Sequence, residues 1–321
     1  FLKARIAAHH GSQVIAFTVD GENAIPIQLT DACGELAVGD WILLNADDSR
    51  AIRRLDRESV IARKAAGDVA RQQLIAANID TLFIVSSCNQ DFNLSRLERY
   101  LAVAIEARTT PIVVLTKADL CDDPIQLRQQ VEQLHAGLIV EFLDARSTAQ
   151  TESLRHWCRS GQTVALVGSS GVGKSTLANS LGAGELQTAG IRENDDKGRH
   201  TTTARSMHPM RFGGWLIDNP GMRELQLSSC EQGVDDLFED VVELSRQCRF
   251  RNCQHAGDTG CALESAVEEG LLDERRLKSY LKLRAEQERN SESLAQRREK
   301  QRRQGKFYKS VQANNRKQKR D

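Results

Sequence analysis

Gly168-Ser-Ser-Gly-Val-Gly-Lys-Ser175 follows the apolar run Thr163–Val167 and opens the helix-like segment Thr176–Leu181. It matches G-x-x-x-x-G-K-[ST] in the strand, loop and helix setting the motif needs, so it reads as a cradle for a polyphosphate. The glycines at 168, 171 and 173 let backbone N–H groups converge on the anion, and the helix start adds partial positive charge. The candidate contacts are Gly168, Ser169, Ser170, Gly171, Val172, Gly173, Lys174, Ser175 and Thr176. Within them, Lys174 reaches the β- and γ-phosphates and the Ser175 hydroxyl sits on Mg²⁺.

Around this loop the pattern is one of alternating strands and helices. Thr81–Ser86, Pro111–Leu115 and Leu138–Phe142 read as buried strands, while Asn93–Ala107, Pro124–His135 and Thr148–Cys158 read as helices. Such alternation predicts an α/β fold, a parallel sheet with helices on both faces and its ligand beyond the carboxyl ends of the strands. Three strand ends carry polar signals: Thr116-Lys117-Ala118-Asp119, Asp144-Ala145-Arg146 and Asp218-Asn219-Pro220-Gly221. An aspartate at the first can accept two hydrogen bonds from the N1–H and N2 amine of guanine, which adenine does not offer, so Asp119 selects the base. Asp218 holds Mg²⁺ through water, and the Gly221 N–H meets the γ-phosphate.

Residues 1–68 contain five short β-prone runs: Gln13–Thr18, Ile25–Thr30, Trp41–Asn45, Ala51–Leu55 and Val60–Arg63. Five strands in so short a stretch predict a small barrel of the oligonucleotide-binding type (the OB-fold), and RNA contact or a ligand-free scaffold are both open for it. Farther on, Cys248, Cys253, His255 and Cys261 supply three thiolates and an imidazole within fourteen residues. That donor set predicts one closed, structural Zn²⁺ site.

The chain has 321 residues, 40% of them hydrophobic, enough for two or three cored domains. Its formal charge of zero is uneven: Arg297 to Asp321 holds eleven Lys/Arg and two acids, a net +9, leaving −9 on the remainder. Neutrality therefore does not exclude nucleic acid, and Phe307 and Tyr308 within the basic tail add rings on which bases can stack. A solvated tail without a ligand is the alternative for that stretch. No run approaches the ~18 apolar residues of a membrane span, and no secretory leader is evident, which predicts a cytoplasmic protein without a membrane partner.

With these motifs in place, the sequence resembles the RsgA (YjeQ, EngC) family of circularly permuted GTPases that assemble the small ribosomal subunit. The guanine-reading motif at 116–119 and its companion at 144–146 precede the phosphate loop, His200-Thr-Thr-Thr203 and Asp218–Gly221, the reverse of the ordinary order. Val38-Gly-Asp-Trp41, Phe92-Asn-Leu-Ser-Arg-Leu-Glu-Arg-Tyr100 and the cysteine cluster extend the likeness over nearly the whole chain. The resemblance implies a barrel over 1–68, a permuted GTPase domain over 69–229, a helical zinc domain over 230–296 and a basic tail over 297–321. It also implies GTP and GDP with Mg²⁺ as ligands, a monomer, and the small ribosomal subunit with its 16S rRNA as partner, hydrolysis prompting release.

Two departures bear on chemistry. Thr116 stands where the usual N-K-x-D motif has Asn, beside Lys117, and a threonine ties loops together but reaches the base less readily. Met222 stands where many GTPases have a water-orienting Gln, and a thioether cannot orient water as an amide does. His200 is the nearest titratable candidate for that task, with solvent or RNA contact as its alternative. Thr202, or else Thr201, coordinates Mg²⁺ and senses the γ-phosphate, and Thr202 is the choice adopted. Two rival classes are an ATP-dependent ATPase or kinase on the same loop and a non-catalytic RNA-binding module.

Overall fold

In the computed structural model, Leu2–His10 (β1) runs at the centre of a small barrel, pairing antiparallel with Gln13–Thr18 (β2) along one edge and Trp41–Leu44 (β4) along the other. Ala24–Ile27 (β3) pairs with β2, and Ala51–Arg54 (β5) with β4. A parallel bridge between Gln28 and Arg50 closes the ring in the order β1-β2-β3-β5-β4. Closure removes the exposed sheet edges and lets Ile6, Val14, Ile27, Ile42 and Leu44 fill the interior. The structure describes residues 1–10, 13–18, 24–45, 47, 49–64, 72–89, 91–183, 205–218 and 230–291.

The expectation of five barrel strands is met by a different five. The run at 60–63 forms Val60–Lys64 (β6), which pairs with Gln72–Ala77 (β7) in a separate two-stranded sheet. Its place in the barrel is taken by β1.

The central sheet contains Thr81–Ser87 (β8), Thr110–Thr116 (β9), Ile139–Phe142 (β10), Thr163–Val167 (β11), Arg205–Pro209 (β12) and Trp215–Asp218 (β13). In the order β10-β9-β8-β11-β13 all neighbours are parallel, and β12 lies antiparallel on β13. The strands are apolar on both faces because both are covered. Phe83, Val85, Ile112, Val114, Val164 and Leu166 face Lys174–Ser180 (α4) and Trp157 of the short Arg155–Cys158 (α3). Their alternates Leu82, Ile84, Val113, Leu115 and Val167 face Leu94–Glu106 (α1) and Pro124–Glu132 (α2). The helix expected at 148–158 is a 3-10 segment, Gln150–Leu154, followed by the single turn of α3.

The first of these two groups of residues ends at the sheet, but the second continues into the C-terminal helices Glu231–Leu237 (α5), Glu239–Ser245 (α6), Ala262–Glu268 (α7) and Glu274–Ser291 (α8). Val234, Phe238, Leu263 and Tyr280 thus share one core with α1. Polar contacts fix the register of α8 on α1. The fully buried Glu98 carboxylate accepts from Arg275 Nη1 at 3.1 Å through both oxygens, Ser95 Oγ meets Ser279 Oγ at 2.6 Å, and Arg99 pairs with Glu286 at 2.7 Å.

The barrel joins the central sheet through Arg5 and through β12. Arg5 donates from Nη1 to Thr163 Oγ1 at 2.7 Å, from Nη2 to Asn78 O at 2.7 Å and from Nε to Gly39 O at 3.1 Å. Burial lowers its pKa to about 10 against the opposing pull of Asp80 and Asp40, so it stays a cation at neutral pH. Gly39 must be glycine here: its φ is +93°, and a Cβ would fall 2.1 Å from Ala77 O. Residues 205 and 206 of β12 pair with His9 and Ala8 of β1. Among the described residues no helix is long and apolar enough to cross a membrane.

Candidate nucleotide site and metal centre

The phosphate loop leaves the carboxyl end of β11 and turns into α4 at Gly173. Gly168 has φ +144°, and a Cβ on it would lie 2.2 Å from Val85 O, so the loop can approach β8 only without a side chain there. Lys174 Nζ donates to the carbonyls of Gly168 (2.8 Å) and Ser169. This holds the ammonium over the concave side of the loop, where a polyphosphate would sit. Asp218 ends β13, the strand beside β11, so its carboxylate stands at the same rim.

The end of β9 brings residues 116–119 to this loop. A cavity of about 210 Å³ is lined by Thr116, Lys117, Asp119, Asp144, Ala145 and Arg146 together with Gly173 and Thr176 of the loop and helix. Three segments, expected separately from sequence, thus meet in one pocket. Ala145 is held by Ser180 of α4, whose Oγ donates to its carbonyl at 2.5 Å, a contact that no motif in the sequence announces. Arg146 clasps Asp144 through two hydrogen bonds of 2.8 and 2.9 Å and touches Asp119 Oδ2 at 3.4 Å. Those bonds hold the Asp144 carboxyl below the usual carboxylate range, while Asp119 remains half-exposed and free to turn toward a ligand.

Thr116 does what its position requires. Its buried Oγ1 lies 2.5 Å from Val172 O and 3.1 Å from Ser86 O, tying the end of β9 to the phosphate loop and to β8. Thr116→Val keeps the volume and removes that tie. Leaving a buried carbonyl without its partner costs about 1–3 kcal/mol. Thermal unfolding with and without GDP is therefore expected to show a lower midpoint and a smaller stabilisation by nucleotide. An unchanged nucleotide increment would remove Thr116 from the site.

The cysteine cluster assembles in the C-terminal helices. Cys248 follows α6, Cys261 caps α7, and Cys253 and His255 come from the turn between them, His255 with φ +56°. The four donor atoms lie within 4.8 Å of one another. His255 Nδ1 is 3.6 Å from Cys248 Sγ and 3.5 Å from Cys261 Sγ. A tetrahedron with Zn–S of about 2.3 Å and Zn–N of about 2.0 Å has sulfur–nitrogen edges of about 3.5 Å, so the donors stand at zinc spacing. The residues present fit the ion.

A sequence model of the RsgA GTPase family matches residues 54–228, more than half the chain. A protein of Vibrio parahaemolyticus named small ribosomal subunit biogenesis GTPase RsgA 2 is 49% identical over 98% of this chain and 87% of its own length. The chain belongs to the RsgA GTPase family. Another relative, the RsgA of Mesorhizobium japonicum, is 46% identical over 90% of this chain and 85% of its own. The fold agrees with two solved structures. YjeQ from Thermotoga maritima superposes with a TM-score of 0.64 at 23% identity, covering 88% of this chain and 96% of that one. YloQ, described as a circularly permuted GTPase, gives 0.61 at 21% identity over 91% and 96%.

As an RsgA-family member the chain is a GTPase, and the permuted motif order is realised in the meeting of residues 116–119, 145 and 173–176. His200, Thr201, Thr202, Gly221 and Met222 lie outside the described residues, as does the basic tail. One neighbour of the phosphate loop carries no signal in the sequence. Arg96 Nη1 donates to Ser169 Oγ at 2.6 Å, from the first turn of α1. The Asn93 side chain caps that turn through Arg96 N, which fixes where Arg96 begins.

Proposed function

We infer that this GTPase acts in the biogenesis of the small ribosomal subunit, docking on 16S rRNA with GTP bound and leaving after hydrolysis, as a cytoplasmic monomer. The observation that carries the nucleotide half of the reading is the pocket in which Asp119 and Ala145 meet Gly173 and Thr176. The ribosomal half rests on the names of its relatives, which match along nearly the full chain. The barrel, the zinc-binding helices and the tail with its net charge of +9 are the surfaces assigned to RNA.

Within the site, Asp119 takes the two donors of the guanine edge and Ala145 lines the base pocket. Lys174 and the loop amides of Gly168 to Thr176 hold the phosphates, and Gly221 meets the γ-phosphate. Ser175, Thr202 and Asp218 would hold Mg²⁺, which neutralises charge on the transferring group. His200 orients or deprotonates the attacking water, a role that Met222 leaves open. Zn²⁺ held by Cys248, Cys253, His255 and Cys261 is structural, since four protein donors leave no position for substrate.

Steady-state GTP turnover with and without isolated small subunits, at two salt concentrations, tests this reading. Turnover is expected to rise on adding subunits and to lose that stimulation as salt increases, because phosphate contacts release counterions. A rate that stays at background with subunits present would overturn it. In the stimulated assay His200→Ala is expected to lower turnover about 10²–10⁴-fold, the usual worth of a positioned base. A wild-type rate from that variant would assign the water to another group.

A further inference from the structure

Where α8 crosses the first turns of α1, a second cavity of about 190 Å³ opens, lined by Asn93, Ser95, Arg96, Arg99, Ser279 and Lys282. Three of these side chains are cations. Arg99 is answered by Glu286, but among the described residues no carboxylate pairs with Arg96 or Lys282, so the cavity keeps a net positive charge. The N-terminal end of the thirteen-residue α1 adds to it.

The hydroxyls are arranged for an acceptor as well. Ser279 is only 3% exposed, and its Oγ lies 2.6 Å from Ser95 Oγ. That contact uses one of the two hydroxyl protons and leaves the other to donate. Arg96 spends one N–H on Ser169 of the phosphate loop and has further N–H groups in its planar fork. No aromatic side chain is among the lining residues, so nothing in the cavity would stack a base. Charge, hydroxyl donors and size together suit an oxyanion with one open side, at exposed Lys282.

We propose that this cavity binds a backbone phosphate of RNA and that Arg96, gripping that phosphate and Ser169 at once, transmits its presence to the phosphate loop. The proposal rests on the reading that the chain docks on ribosomal RNA, and it places one docking contact a single side chain away from the nucleotide. In this role Arg96 is a positioning residue: it acts on GTP through Ser169.

Two measurements on the full chain decide it. With the nucleotide site saturated by GDP and Mg²⁺, inorganic phosphate is titrated while hydrogen exchange of α1 and α8 is followed, with chloride at equal ionic strength as control. Protection is expected in the wild type, with about tenfold weaker apparent affinity in Lys282→Glu, whose exposed side chain carries none of the packing between α1 and α8. Protection no greater than with chloride, or equal in both proteins, would overturn the site whether or not ribosomal subunits bind.

The second measurement uses isolated small subunits. Lys282→Glu is expected to bind them about tenfold more weakly, with a salt slope reduced by about one, as loss of one phosphate contact requires. Arg96→Lys keeps the charge but cannot span both partners, so subunit binding is expected within about twofold of wild type while the stimulation of kcat is lost. Full stimulation of Arg96→Lys would remove the relay, and an unchanged slope for Lys282→Glu would remove the RNA contact. If the wild type itself failed to bind subunits, the ribosomal reading would fall, and phosphate protection alone would then mark the cavity as a site for free phosphate.

Discussion

Removal of zinc from the Cys248, Cys253, His255 and Cys261 cluster is expected to unfold the segment between α6 and α7. Structural zinc in small domains is worth about 10–16 kcal/mol of apparent binding free energy at neutral pH, as large as the net stability of a typical domain. The segment it would hold has little else to fold around: Phe250 is half-exposed, and residues 249 to 260 contain no buried hydrophobic side chain. Cys261 also caps α7, whose Leu263 and Ala266 belong to the core shared with α1. A strong chelator, or Cys248→Ala, should therefore release one zinc per chain and speed hydrogen exchange through α7. If the variant retained a full equivalent of metal, or if exchange in α7 stayed as slow as before, the cluster would not be a structural zinc site.

Asp119→Asn is expected to cost GTP binding about two to three orders of magnitude. The carboxylate would accept two hydrogen bonds from guanine, each charge-assisted and worth about 1.5–3 kcal/mol, and the amide can accept at one oxygen only and sets its own donor against the base amine. Xanthine carries a carbonyl where guanine has that amine, so xanthosine triphosphate should bind the variant better than GTP does. Arg146, 3.4 Å from Asp119, offers little competition to the base because it is largely solvent-exposed and is already clasped by Asp144. Calorimetry with GTP, ATP and xanthosine triphosphate reads the switch directly. Equal affinities for GTP and ATP in the wild type would remove Asp119 from base selection.

What could be read from sequence was local, and what escaped was non-local. The residues of the phosphate loop, like the cysteines and histidine of the cluster, lie within a few positions of one another, so short-range pattern suffices. The central strands were legible because burial on both faces makes them continuous apolar runs, as in Leu82-Phe-Ile-Val85. β1 was not, because Arg5 interrupts it in order to reach Thr163, 158 residues away. β12 gave no signal, since Arg205-Ser-Met-His-Pro209 has neither length nor apolar alternation, and only its two neighbours make it a strand. The run at 60–63 was recognised as β-prone but given the wrong neighbour, since propensity names no partner. At the site, Ser180 on Ala145 and Arg96 on Ser169 join residues 35 and 73 positions apart, beyond the reach of any motif.

β12 is zipped to a different part of the protein along each edge. Four residue pairs fasten it to β13 and two fasten it to β1. The strand is thus held by unequal seams, the shorter one toward the barrel. Arg5 on Thr163 and the Phe17 ring 4.7 Å from that of Trp215 reinforce that shorter seam, so barrel and sheet are joined by side chains as much as by paired backbone.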